Sequence, residues 1–205
     1  QYDHSTGKFT KPIKVLPKDF IVIAGLHPFY LPKLRKNIDL KIYIETEENL
    51  RQHWKLIRDM KKRSYSKEKV FKQMEDRKND AKKYIHPQKY FSDIIINFFP
   101  TNNFEVGSDK KIVNIGLKLT FDANIHVENI LEKIKCNFEW DYNNDLKSQY
   151  IELHSSPKVN FANIAIDTVD NISEIVAPNA KWDEGYDGLI QLISLKMISE
   201  KLKEN

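Results

Sequence analysis

Apolar and polar positions divide the chain into segments of different period. Phe20 to Ala24, "FIVIA", is a run of five apolar residues, three of them β-branched, that stops at Gly25 and a Pro-punctuated turn. That pattern predicts a strand buried on both faces, delivering a loop to a site. "LKIYIE" (Leu40 to Glu45) and Asp93 to Phe99 predict two more strands, with a short helix beginning near Pro32 before the first of them. Between those two strands lie helical patterns over Thr46 to Lys62 and from Ser66 to Ile85, stopped by Pro87. Thr46 reads as the first N-cap and Glu47–Glu48 as an acidic first turn. Strands alternating with helices predict a parallel sheet covered by helices.

Beyond Thr101 the period changes. "IVNIGLKLTF" (Ile112 to Phe121) alternates like a strand with one wet face, and "NFEW" and "QYIELH" repeat the hint. "VNFANIAIDTVDNISEIV" and "GYDGLIQLISLKMISEKL" carry helical spacing. The expectation is therefore α/β over residues 1–101, followed by an α+β region over residues 102–205.

In the first long helix Leu50, Trp54 and Ile57 form the expected buried stripe. Arg51, Lys55, Arg58 and Lys62 run beside it with the same period, and Arg63 extends them. In the next helix Val70, Met74, Arg77, Ala81 and Tyr84 share a stripe, so Arg77 interrupts an apolar face and must meet a carboxylate or reach into a cleft. For an isolated helix a solvated face is the simpler reading of the basic stripe, but Arg77 on the apolar face of the next helix weakens it, and two helices with convergent arginines make a phosphate clamp.

Charge sharpens this division. Residues 1–89 hold 22 Lys/Arg against 11 Asp/Glu, a net +11, and residues 90–205 hold 11 against 18, a net −7. A basic lobe favours phosphate-bearing partners. Nucleic acid is not expected, because the chain has no RNP-type motif, zinc knuckle or regular interleaving of aromatic and basic residues. No apolar run approaches the roughly 20 residues of a membrane span. The single Cys136 excludes an intrachain disulfide framework and agrees with a reducing compartment, so a cytoplasmic protein is expected. The chain opens on Gln1 with no signal-like segment, and its natural start is expected upstream.

The motif for a phosphate loop is missing. The six glycines, at 7, 25, 107, 116, 185 and 188, nowhere have the G-x-x-x-x-G-K-[ST] spacing. In "STGKF" Phe9 stands where a magnesium-binding hydroxyl is required. No GxGxxG, zinc-ligand spacing or GxSxG elbow is present, so no metal ligand is assigned.

"YDHSTGKF", "VIAGLHPFY", "WKLIRDMKKR" and "YIHPQKYFSDIII" followed by "FPT" resemble, in order and spacing, the latter half of phosphoribulokinases and related uridine kinases. The resemblance covers about residues 1–101. It implies a partial P-loop kinase-type parallel sheet with lid helices, whose phosphate loop lies upstream of Gln1 and whose strand Phe20 to Ala24 neighbours the phosphate-loop strand. By the same resemblance, Tyr2, His4 and His27 fall on the acceptor side of the site. Arg58 and Arg63 match the R-D-x-x-x-R lid, where fixed positive charge stabilises the transferring phosphoryl group. Arg77 is assigned to the nucleotide, and ATP and Mg are the implied cofactors of the complete enzyme. Three positions depart from the family pattern: Ala24 stands for a glutamate, Ser64 for a glycine and Asn79 for a frequent proline. An ATP-dependent small-molecule kinase, inactive as this piece alone, is the first expectation. A degenerate kinase half that binds a ligand or partner is the alternative, and homo-oligomerisation is left open.

Overall fold

The computed structural model describes residues 2–3, 6–108 and 112–203. Tyr2–Asp3 (β1) and Lys8–Phe9 (β2) pair as a small antiparallel hairpin, with Tyr2 opposite Phe9. The expectation of a buried strand over Phe20 to Ala24 is corrected. Phe20, Ile21, Val22 and Ile23 are 53%, 60%, 91% and 63% exposed, and no strand among the described residues runs beside them. An apolar run becomes a strand only where another backbone completes its ladder and another layer covers its side chains.

The chain then forms α1 (Pro32–Arg35), β3 (Ile42–Thr46), α2 (Glu48–Arg63), α3 (Lys67–Asp76) and the three-residue α4 (Lys78–Asp80). A π-helical turn (Ala81–Ile85) and a 3-10 turn (His86–Phe91) lead into β4 (Ile94–Pro100). β3 and β4 pair in parallel, Ile42 opposite Ile94 through Thr46 opposite Phe98. The helices between them provide the long crossover that parallel strands need. Thr46 ends β3 instead of capping α2. Glu47 takes the N-cap position and its backbone N–H donates to the Phe98 carbonyl at 3.0 Å, holding the helix start against β4.

The remaining elements are β5 (Ile115–Asp122), α5 (Glu128–Leu131), β6 (Phe138–Tyr142), β7 (Ser148–Leu153), α6 (Phe161–Thr168), α7 (Ile172–Ile175) and α8 (Gly185–Lys203). The sheet has the order β3-β4-β5-β7-β6, and every pairing after the first is antiparallel. The protein is thus α/β with a mixed sheet. β4 and β5 stay in register from Ile94 opposite Phe121 to Pro100 opposite Ile115, so the sheet continues from the basic part of the chain into the acidic part.

Period-2 alternation gives the sheet two different faces. Ile94, Ile96, Leu117, Leu119, Phe121, Ile151 and Leu153 point to one face and form a single core with Phe161 of α6 and Leu189, Leu192 and Ile193 of α8. Each such side chain contributes about 1.5–3 kcal/mol on burial. Gly188 allows α8 to approach closely, because a Cβ there would lie 2.3 Å from the Phe161 ring. On the opposite face Tyr43, Glu45, Ile95, Asn97 and Thr120 line a cleft.

Helices α2 and α3 stand over this second face with a small core of their own, Leu56, Val70 and Met74 packed with Tyr65 and Val106. The buried stripe of α2 is Leu50, His53, Leu56 and Asp59. This corrects the expected Leu50, Trp54 and Ile57, for Trp54 is 42% exposed. His53 is buried because its Nδ1 accepts the Gly107 N–H at 3.1 Å and its ring meets Phe104 edge-on at 5.2 Å. A side chain at Gly107, where φ is +81°, would press on Leu56. The second lid helix also differs from expectation. Ser66 caps it, accepting from the Lys69 N–H at 3.3 Å, but the α-helix breaks at Arg77, short of the expected Ile85. Near its end the Tyr84 carbonyl is taken by the Gln88 side chain at 2.8 Å.

Candidate active site

The cleft has a volume of about 1930 Å³ and runs along the second face of β3 and β4, from Thr46, Glu47 and Glu48 at the carboxyl end of β3 to Ser92 and Asp93 ahead of β4. Ligands of open α/β sheets bind outside the carboxyl ends of strands, which for β3 is the Thr46 to Glu48 end of the cleft. Glu45, near the end of β3, lies opposite Asn97 of β4. Its Oε2 accepts from Lys89 Nζ at 2.5 Å and from Asn97 Nδ2 at 3.1 Å. Burial pushes the Glu45 carboxyl up, but these hydrogen bonds outweigh it and hold the group below the usual carboxylate range.

The opposite wall is cationic. Arg51 and Lys55 of α2 and Arg77, at the break after α3, all line the cleft. Arg51 grips Glu48 through two hydrogen bonds, Nε to Oε2 at 2.7 Å and Nη2 to Oε1 at 2.6 Å. The Glu48 carboxyl is held below its ordinary value first by that contact with Arg51. Lys55 is placed differently. Burial lowers its pKa first, and the nearby charges of Arg77, Arg51 and Arg58 push the same way, with Asp59 opposing. An ammonium crowded by three guanidiniums marks a place where an anion would be welcome.

The sequence candidates fall into three places. His27 and Arg77 line the same cleft. Arg58 and Arg63 lie together outside its lining, both on Asp59: Arg58 Nε donates to Oδ1 at 2.8 Å and Arg63 Nη1 lies 3.4 Å from the same oxygen. Their side chains are about half exposed, whereas that of Asp59 has no exposed surface. Tyr2 belongs to the β1 hairpin, and His4 lies outside the described residues. Glu45, Asn97 and Lys89 were not singled out from the sequence. Their signal was the register of the two parallel strands, which brings Glu45 and Asn97 together from 52 residues apart.

No group of three or more His, Cys, Asp or Glu side chains among the described residues could hold a metal ion. Glu45, near the end of β3, is already engaged by Lys89 and Asn97. These residues by themselves do not fit a magnesium site. No helix among the described residues is long and apolar enough to cross a membrane.

Residues 1–105 match the family described as Phosphoribulokinase / Uridine kinase family. The chain is similar to a phosphoribulokinase of Synechocystis sp., 35% identical over 116 residues, which is 57% of this chain and 35% of the relative. A chloroplastic phosphoribulokinase of Spinacia oleracea is 34% identical over 114 residues, 56% of this chain and 28% of the relative. A uridine kinase of Staphylococcus haemolyticus is 34% identical over 116 residues, 56% of this chain and 53% of the relative. The chain thus spans about a third of the length of these phosphoribulokinases and about half of the uridine kinase.

Proposed function

Because the chain belongs to the phosphoribulokinase/uridine kinase family, we propose that it forms the lid and acceptor side of an ATP-dependent kinase acting on a hydroxyl of a pentose phosphate or a nucleoside. The observation that carries this reading is the cationic wall of Arg51, Lys55 and Arg77 in the cleft that also holds Thr46, Glu47 and Glu48 at the carboxyl end of β3. Phosphoryl transfer is largely positioning plus neutralisation of charge on the phosphoryl oxygens, and that wall supplies fixed positive charge beside the place where a ligand binds. Arg77 serves the nucleotide. His27, with Tyr2 and His4, serves the acceptor. Arg58 and Arg63, half exposed at the end of α2, act on the transferring group when the lid closes.

ATP and magnesium belong to this chemistry. Their phosphate loop and principal ion ligands are supplied from outside these 205 residues, so the chain on its own does not turn over. The exposed apolar run Phe20 to Ile23, without a neighbouring strand, supports completion of the sheet by a further segment. The lone Cys136 suits a reducing compartment such as the cytoplasm. A second reading, a module that binds its ligand without catalysis, draws support from Ala24 in place of the family glutamate.

The test is phosphorylation of ribulose 5-phosphate and of uridine by the natural full-length protein, with Arg63→Ala and Lys62→Ala variants. Removing a donor to the transition state costs on the order of 3 kcal/mol, roughly a hundredfold in rate. Replacing an exposed helical lysine changes stability by no more than about 0.5 kcal/mol. Turnover should therefore collapse in Arg63→Ala and persist in Lys62→Ala, with both melting like wild type. Equal turnover would remove Arg63 from the chemistry. Absence of turnover on both substrates would favour the module that only binds.

A further inference from the structure

The turn that carries His27 is held by contacts from outside it, among them Arg35 Nη1 of α1, which donates to the Phe29 carbonyl at 3.2 Å. Residues 20–23 before it are exposed and join no sheet, so they do not fix it. The two hydrogen bonds that bracket His27 come from the segment ahead of β4. Gln88, on the 3-10 turn His86–Phe91, is 2% exposed, and its amide is fully committed. Nε2 donates to the Leu26 carbonyl and to the Tyr84 carbonyl, each at 2.8 Å, and Oε1 accepts the Phe29 N–H at 3.1 Å. The two bonds to the turn bracket His27, one on the residue before it and one two residues after. The turn closes on itself through the Tyr30 N–H to the His27 carbonyl at 3.3 Å. Next to Gln88, Lys89 reaches Glu45 across the cleft floor.

We propose that Gln88 is the positioning residue of the acceptor side, setting where His27 stands in the cleft relative to the ends of β3 and β4. Only an amide side chain can do this, because the contact needs two donors and one acceptor in one plane. A glutamate would turn a carboxylate toward two carbonyl oxygens, and a methionine of similar length would remove the side-chain partner of all three backbone groups. The inference rests on the reading that His27 serves the acceptor, and the experiment separates the two.

In the natural full-length protein, steady-state kinetics on the phosphorylated substrate would compare His27→Ala, Gln88→Met, Gln88→Glu and the double variant His27→Ala/Gln88→Met. Positioning predicts a rise in the acceptor KM of about tenfold or more in each single variant, with the KM for ATP held within about twofold. The double variant should be little worse than His27→Ala, since both changes remove the same contact. If His27→Ala leaves the acceptor KM unchanged, the acceptor reading of His27 fails and the role of Gln88 falls with it. If His27→Ala raises that KM but the Gln88 variants do not, or if the double variant is worse by the full product of the singles, Gln88 is not the positioning residue. Should the Gln88 variants fail to fold, amide exchange in the wild-type chain decides: the Phe29 N–H should be protected, and free exchange there would overturn the proposal.

Discussion

Asp59 is a carboxylate with no exposed surface between two arginines that are each half exposed, and its second oxygen, Oδ2, has no hydrogen-bond partner among the described residues. The hydrogen bond from Arg58 holds its pKa below the ordinary aspartate value, burial opposes this, and the charges of Arg58, Arg63 and Lys55 add to the lowering. A depressed folded-state pKa contributes stability that is present above the unfolded value, about 3.9, and is lost as pH falls through the folded value. Asp59→Asn should therefore lower stability by about 1 kcal/mol near pH 7, a modest figure because both guanidiniums are open to water. Melting curves of the two proteins should converge as pH falls below about 3.9 and through the lowered folded-state value, and a gap that persists below both would place the effect in packing. The R-D-x-x-x-R spacing made Arg58 and Arg63 legible in the sequence. Their shared anchor was not, because adjacent residues on a helix do not normally face each other, and only the wrapping of the long Arg58 side chain brings Nε onto Asp59.

At the scale of the element, the lid helices were recognisable by period but not by face. Leu50, Trp54 and Ile57 and the observed Leu50, His53 and Leu56 satisfy helical spacing equally well. What decides between them is the Gly107 N–H, which gives a histidine 54 residues away a reason to be buried. A single helix cannot announce a partner that distant. The end of α2 is sharper: Ser64 is its C-cap in the left-handed region, φ 52° and ψ 35°, at the position where the resemblance leads one to expect glycine. A residue with a Cβ is strained there by roughly 1–2 kcal/mol, while glycine gains chain entropy in the unfolded state that offsets part of the relief. Ser64→Gly should thus raise stability by about 0.5–1 kcal/mol, read as a higher denaturation midpoint. A lower midpoint would mean that the serine hydroxyl contributes more than the backbone strain costs.

For the molecule as a whole, alternation in the sequence foretold the sheet strands of the C-terminal half and helical spacing foretold α6, α7 and α8. The patterns did not say that β5 would pair directly with β4 and extend one sheet across the change in charge, since register depends on two segments at once. Phe20 to Ala24 had the composition of a central strand, yet burial is a property of the surroundings and this segment has none. That has a practical consequence for anyone handling the 205-residue polypeptide. Four adjacent large apolar side chains with an unpaired backbone behave as an adhesive edge, which other copies will find in the test tube. Scattering or sedimentation should show particle mass growing with concentration. Val22→Lys, at the 91% exposed position, should keep the polypeptide dispersed, and equal growth in both would locate the stickiness elsewhere.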